Sequence, residues 1–261
     1  MLKDVYNLAD LRNWTEATAD ALPPIRLAVF GDPIAHSKSP PMLNAGLEQC
    51  GIAARYTRLH IKPEELPEAL RLLPGAGFIG VNLTIPHKQS ALSLLDEVDV
   101  HAQKIGAVNT VAIGEGKLTG YNTDGPGLVR AIRSEFGVDI RDLRVMVLGA
   151  GGGAGRAISV QCAIEGCERL VLVNRTVEKA EALAKEIESY FKGPHLIGPV
   201  ARLEAFSLES DRLKFQLQNT DLVINATSMG MKLSDPSPLP SSLLSPHLMM
   251  FDTIYTAARP P

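Results

Sequence analysis

The chain has 261 residues, 45% hydrophobic and 21% charged, with a formal net charge of −3. That length allows one large domain or two ordinary ones, and the composition argues for a globular protein with a sizeable core and against disorder. No long run of one sign occurs, so neither nucleic acid nor a membrane surface is an expected partner, and an anionic metabolite would be met by local groups. The three cysteines, Cys50, Cys162 and Cys167, lack metal-ligand spacing and cannot form an even disulfide set. Each falls in or near an expected helix and reads as a small buried hydrophobe, as suits a reducing compartment. No metal site is expected. The N-terminus has no basic stretch followed by an apolar one, and no window approaches the roughly 18 apolar residues of a membrane span. A soluble, cytoplasmic protein is the expectation.

Residues 1–22 form a polar, amphipathic preface that contains the only tryptophan, Trp14, and ends at Pro23-Pro24. Their sequence suggests no role. A regular pattern follows: strand 26–31, helix 40–50, strand 55–60, helix 63–73 and strand 77–85. Pro63 with Glu64 and Glu65 suits a helix first turn, where the missing N–H is unneeded and acids favour the positive end. A helical stretch at about 87–95 precedes AVNTVAI (107–113), a turn at 114–116 and KLTGYN (117–122), which together predict a hairpin. A second series starts with a helix over 125–136. It continues with strand 144–149, a glycine-rich turn, a helix to about 165, strand 169–174, a helix over 176–191, and strands 221–226 and 248–253. Strands alternating with helices predict parallel sheets covered on both faces. DPSPLPSS (235–242) reads as a surface loop. The expected division is 1–123, with 1–22 as an added segment, and 124–261.

RVMVLGAGGGAGRA (144–157) places Gly149, Gly151 and Ala154 at the spacing of the dinucleotide fingerprint, directly after an apolar strand. The first glycine permits a sharp turn, the second lets the backbone approach a pyrophosphate, and the third small residue lets helix and strand pack closely. A tight turn without a ligand is the plainer reading, but strand, glycines and helix stand in the order that a nucleotide site needs. The next strand ends in Asn174-Arg175-Thr176, where an NAD site would place a carboxylate for the ribose 2′-OH. A carboxylate would repel a 2′-phosphate, whereas a guanidinium and a hydroxyl can bind one. Arg175 could also be a solvated arginine at a helix start, yet at this position NADP is the better fit.

Three polar clusters precede that domain. HSKSP (36–40) supplies Ser37 and Ser39, whose hydroxyls can donate to a carboxylate, although Ser39 could equally cap a helix. NLTIPHK supplies Asn82, Thr84 and Lys88, and AVNTV and YNTDG add Asn109 and Asp124. Each lies near an expected strand end, where ligands collect in open α/β sheets, and each taken singly could be a turn former. Reducing a ketone needs a hydride and a proton for the developing alkoxide. Lys88 suits proton transfer because desolvation can lower its pKa. Asp124 would oppose that shift but would orient the ammonium and the substrate hydroxyl. His87 is expected to point away from the Lys88 position.

GDPIAHSKSP, GVNLTIPHK, GAVNT, YNTDG, GAGGGAGRA, NRT, INATSMGM and FDTIY, in this order, resemble the shikimate dehydrogenase family from about residue 26 to 256. The resemblance implies an N-terminal α/β substrate domain and a C-terminal Rossmann-type domain with a cleft between them. It also implies NADP-dependent, reversible reduction of 3-dehydroshikimate to shikimate, a step of aromatic amino-acid biosynthesis, by a monomer or homodimer. Carried over, Ser37 and Ser39 hold the substrate carboxylate, Thr84, Asn109, Asp124 and Tyr255 contact the substrate with Asn82 close by, and Lys88 transfers the proton. The turn Gly149, Ala150, Gly151, Gly152, Gly153 and Ala154 holds the pyrophosphate. Asn174, Arg175, Thr176 and Lys179 meet the 2′-phosphate, and Thr227, Ser228, Met229 and Thr253 lie near the cofactor. The sequence departs from the family in having Leu43 where a histidine is usual, in its first 22 residues, and in ending at ARPP before the family's last helices and their substrate-contacting glutamine. The chain therefore reads as truncated. An NAD-using quinate/shikimate dehydrogenase and a non-catalytic nucleotide sensor of the same fold are the alternatives. Arg175 and Thr176 speak against the first, and Lys88 with Asp124 against the second.

Overall fold

The computed structural model describes residues 2–192, 201–209, 211–231 and 234–254. The chain divides into two compact units, Met1–Thr123 and Asp124–Pro261.

The first unit runs β1 (Val5–Asn7), α1 (Leu8–Arg12), α2 (Trp14–Ala17), β2 (Ile25–Gly31), α3 (Ser39–Gln49), β3 (Arg55–His60) and α4 (Leu66–Leu72), then β4 (Gly80–Leu83), α5 (His87–Ser90), β5 (Glu97–Val98), α6 (Val100–Ile105), β6 (Thr110–Gly114) and β7 (Lys117–Tyr121). Its seven-stranded sheet has the order β1-β3-β2-β4-β6-β7-β5. The sheet is mixed: the expected hairpin forms as β6 and β7, and the remaining strands from β1 to β4 are parallel as expected. β1, β3, β2 and β4 are parallel, β6 runs antiparallel to β4, and β7 returns antiparallel to β6. The reason is local. Gly114 pairs with Lys117 across Glu115 and Gly116, both at positive φ (51° and 79°), the two-residue turn whose twist matches a hairpin.

The preface is part of the core. Its β1 pairs with β3, and Tyr6, Leu8, Leu11 and Trp14 are buried with Phe30, Leu59, Leu66, Leu70 and Phe78. The Trp14 ring lies 5.1 Å from Tyr6 and 5.0 Å from Phe78, centroid to centroid. Burying each such side chain is worth about 1.5–3 kcal/mol, so this segment stabilises the unit that holds the polar clusters. Leu43, at the family's histidine position, packs against a small cluster of Val29, Ile34 and Tyr56. Cys50 is exposed at the C-terminal cap of α3, against expectation, on a helix whose one buried residue is Pro40. Cys162 and Cys167 are buried, and burial holds both thiols protonated.

The second unit runs α7 (Asp124–Phe136), β8 (Arg144–Leu148), α8 (Gly153–Glu165), β9 (Arg169–Val173), α9 (Val177–Ile187), β10 (Leu203–Phe206), α10 (Leu213–Gln218), β11 (Leu222–Asn225) and β12 (Met249–Asp252). Its five-stranded sheet, β10-β9-β8-β11-β12, is parallel throughout. β9 and β11 are buried along their whole length, as expected of a strand covered on both faces. The strand order reverses between β8 and β11, and ligands of such sheets bind at that switch point, outside the carboxyl ends of the strands. β10 and α10 have no apolar pattern long enough to announce them. They are tied to β9 by the buried Arg169, which donates to Ala201 O (2.8 Å), Glu204 Oε1 (3.0 Å) and Gln216 Oε1.

Candidate active site

In the first unit the polar clusters gather at one end of the sheet. β2 and β4 finish there at Gly31 and Leu83, and β6, running the other way, begins there at Thr110. A side chain at Gly31 would place its Cβ 2.6 Å from Thr84 Cγ2 and 3.2 Å from the Ile85 carbonyl oxygen. The missing side chain is what lets the loops after β2 and β4 lie against each other. Asp32 N–H donates to Ile85 O (3.0 Å), and Thr84 N–H donates to Phe30 O (2.9 Å).

Ser37 is buried and Ser39 half-buried. Ser39 is the first residue of α3, and the preceding Lys38 makes no side-chain cap bond. Ser37 Oγ accepts from Ser39 N–H at 3.3 Å. After β4, the Thr84 carbonyl accepts from His87 N–H (2.8 Å) and opens α5, which carries Lys88. Lys88 is half-buried, and its carbonyl accepts from Val108 N–H at 2.7 Å, fixing its backbone to the chain entering β6. His87 is fully buried and faces inward: Nε2 lies 2.7 Å from the Ile61 carbonyl and so carries the proton, while Nδ1 has no partner among the described residues. Burial, as the largest influence, pushes the His87 pKa down and keeps the ring neutral.

Asn109 is 8% exposed, and its Oδ1 accepts from Thr123 N–H (2.9 Å) and Thr110 Oγ1 (3.0 Å), while Nδ2 donates to Thr123 Oγ1 (3.0 Å). Asn82 is engaged on both sides of its amide. Oδ1 accepts from the Tyr56 hydroxyl (2.7 Å), and Nδ2 reaches Thr110 Oγ1 (3.1 Å) and Asn109 O (3.3 Å). Burial raises the Tyr56 pKa, so its hydroxyl remains a donor. Asn82 thus aligns the wall of the cluster. Tyr56, Thr110 and Thr123 belong to the same network and were not singled out from sequence, since each looks like an ordinary strand or turn residue.

In the second unit, β8 runs into the glycine turn. Gly149 has φ 81°, and a Cβ there would meet Ala226 O at 2.9 Å. At Gly151 a Cβ would lie 2.5 Å from Lys179 Cβ, and at Gly155 one would lie 2.0 Å from Gly149 O. The close approach of helix to turn therefore falls on Gly155, one residue beyond the half-buried Ala154. Gly149 and Ala150 N–H donate to Val173 O (2.8 and 3.2 Å), and α8 starts at Gly153 behind the exposed Gly152 with no side-chain cap. Its first amides are left for an acceptor such as a phosphate. This cradle, kept open by missing side chains, fits a dinucleotide. At the end of β9, Asn174 Nδ2 donates to Thr176 O (2.9 Å), while Arg175, Thr176 and Lys179 are exposed.

Asn225, at the end of β11, organises the next loop. Its Oδ1 accepts from Thr227 N–H (3.1 Å) and Oγ1 (2.7 Å), its Nδ2 donates to both Asp252 carboxylate oxygens (3.1 and 3.2 Å), and its carbonyl accepts from Thr253 Oγ1 (2.9 Å). Thr227 Oγ1 accepts from Met229 N–H at 3.0 Å, and Ser228 is exposed between them. Asn225 stands inside the INATSMGM motif, which was the available signal for it. Asp124 is the first residue of α7, where a carboxylate suits the helix dipole. Tyr255 lies outside the described residues.

One α/β unit with polar side chains at its strand ends and one parallel unit with a dinucleotide cradle define a nicotinamide-dependent oxidoreductase of two domains. Residues 29–111 match the family model described as shikimate dehydrogenase substrate binding domain, and residues 130–252 match that of shikimate / quinate 5-dehydrogenase. The chain is 38% identical to the NADP(+) shikimate dehydrogenase of Methanopyrus kandleri over 89% of its own length and 78% of that relative's. It resembles the crystal structure of the Thermus thermophilus shikimate 5-dehydrogenase in complex with NADP(H) and shikimate, with a TM-score of 0.72, 39% identity, and 87% and 78% of the two chains covered. The Corynebacterium glutamicum quinate dehydrogenase in complex with NAD has a TM-score of 0.74 at 29% identity, with 89% and 80% covered. The chain belongs to the shikimate/quinate dehydrogenase family.

Proposed function

We propose that this protein catalyses the reversible, NADP-dependent reduction of 3-dehydroshikimate to shikimate in the cytoplasm, as a step of aromatic amino-acid biosynthesis. Ser37 and Ser39 donate to the substrate carboxylate. Thr84, Asn109 and Tyr255 meet its hydroxyls, and Asn82 holds Asn109 and Thr110 in place. The turn 149–154 takes the pyrophosphate, Asn174, Arg175, Thr176 and Lys179 take the adenosine 2′-phosphate, and Thr227, Ser228, Met229 and Thr253 border the nicotinamide end. Bound there, the cofactor supplies the hydride that joins the carbonyl carbon. As the carbonyl electron pair moves onto oxygen, the Lys88 ammonium gives that oxygen its proton, with Asp124 orienting the hydroxyl that forms. In the oxidative direction Lys88 takes the proton back.

The observation that carries this reading is the placement of Lys88. It is a half-buried lysine whose backbone is pinned to Val108, one turn beyond Thr84 and beside the chain that leads through Asn109 into β6. The preference for NADP rests on the exposed Arg175 and Thr176 and on the absence of a carboxylate at 174–176. Comparing kcat/KM for shikimate with NADP against quinate with NAD tests both assignments. A preference of about tenfold or more for quinate with NAD, some 1.4 kcal/mol in transition-state binding, would overturn them.

A further inference from the structure

Strand β3 carries Arg58 and His60 two positions apart, so both side chains leave the same face. Both reach the segment between β2 and α3. His60 Nε2 lies 2.7 Å from Asp32 Oδ1 at the start of that segment. Arg58 takes its far end, where Nε–H and Nη2–H donate to the Ser37 carbonyl at 3.0 and 2.7 Å. The remaining arm, Nη1–H, donates to Asp4 Oδ1 at 2.7 Å, immediately before β1. Val5 and Asn7 of β1 lie in register with Arg58 and His60. The preface therefore lies beside the pair that grips the serine loop.

The grip has consequences for the hydroxyls. Two donors of one guanidinium converge on a single backbone oxygen, and the Arg58 side chain is only 12% exposed. Charge-assisted bonds in such surroundings are stronger than exposed ones, and leaving the charge unpaired there is costly. The pair with Asp4 is a weaker element, because Asp4 is 82% exposed. With the Ser37 carbonyl fixed, Ser37 N–H closes on Ile34 O (3.0 Å), and Ser37 Oγ accepts from Ser39 N–H. One lone pair of that hydroxyl is thus used within the protein, and its proton is what it offers to an incoming acceptor.

We propose that Arg58 is a positioning residue for recognition of the substrate carboxylate, acting through the Ser37 carbonyl, and that Asp4 joins the N-terminal segment to this task. The inference rests on the reading that Ser37 and Ser39 bind that carboxylate. The bland alternative is a staple that only stabilises the loop. Binding of shikimate and of its methyl ester to the full-length chain, measured by calorimetry, separates the two, because only the acid presents a carboxylate. For Arg58→Gln, the Kd for shikimate should rise about tenfold, the scale of one well-placed charge-assisted hydrogen bond. The ester should bind as before and kcat should stay within a few-fold. Arg58→Lys should recover part of the loss, and Asp4→Asn should lose less than Arg58→Gln. An equal loss for acid and ester, or a change in Tm alone, would overturn the proposal. Amide hydrogen exchange of residues 34–39 in the ligand-free chain gives a second reading. Faster exchange at Ser37 in Arg58→Gln is expected, and unchanged exchange would also overturn the proposal. If the unaltered chain turned over neither shikimate nor quinate, the functional reading would fall, and the exchange measurement would still decide whether Arg58 holds the loop.

Discussion

At the end of β8 the protein makes a site by leaving side chains out, whereas at the ends of β2 and β4 it makes one by putting polar side chains in. Gly149, Gly151 and Gly155 are positions where a Cβ would collide with backbone or a neighbouring stem, so the cradle offers amides and open space. Around Asn82 and Asn109, by contrast, Tyr56, Thr110 and Thr123 consume most of the amide bonding capacity, so the wall is rigid before any ligand arrives. A backbone site tolerates many surface changes and fails on any added atom. A side-chain site tolerates added atoms at its margins and fails when one donor is lost.

That contrast can be broken at four places. Lys88→Ala should lower kcat by at least ~100-fold with the Kd for NADP nearly unchanged, because acid–base catalysis is lost and the cradle is untouched. Stopped-flow or steady-state turnover beside a fluorescence titration of NADPH would show it, and turnover within a few-fold of the unaltered chain would remove Lys88 from its role. Gly155→Val should weaken NADP binding and cost about 1–3 kcal/mol in stability by overpacking against Gly149 O, while shikimate still binds. Calorimetry with each ligand separately, alongside chemical denaturation, checks both halves. Arg175→Ala should reduce the preference for NADP over NAD by about tenfold, the worth of one charge-assisted contact to a phosphate, with little change for NAD itself.

The smallest effect concerns His87. Its folded-state pKa lies below the ordinary value of 6.5, chiefly because burial disfavours the imidazolium. Between the two values the unfolded chain binds more protons, so stability is fully present above pH 6.5 and falls as the pH drops through 6.5 toward the folded value. His87→Gln should flatten that part of the profile, read as the denaturation midpoint at a series of pH values. An unchanged slope would mean that another group sets it.

Much of this was legible in the sequence, for reasons that differ between the two regions. The dinucleotide turn could be read from spacing alone, since glycine positions encode backbone geometry directly. Even so, the tightest contact belongs to Gly155 and not to Ala154, a detail that depends on how α8 meets Gly149. The parallel core strands RVMVL, RLVLV and LVIN announced themselves as continuous apolar runs. The polar end of the first unit was legible only as a joint match of several motifs, because its residues come from separate segments that the sheet brings together. The preface was silent for a related reason. Tyr6, Leu8, Leu11 and Trp14 are spread over β1, α1 and α2, none long enough to display a period. β10 escaped notice because it is short and partly exposed, and a partly buried ion pair between Arg169 and Glu204 ties it to β9 where an apolar stripe would have been read. Arg58 acts through bonds to partners elsewhere in the fold, which no local pattern records.

The most direct test follows NADPH absorbance with the full-length chain, giving kcat/KM for shikimate with NADP and for quinate with NAD, for the unaltered protein and for Lys88→Ala. The account predicts turnover of shikimate with NADP as the preferred pair, reduced at least ~100-fold in kcat by the substitution. Turnover of neither acid, or turnover indifferent to the loss of Lys88, would contradict it.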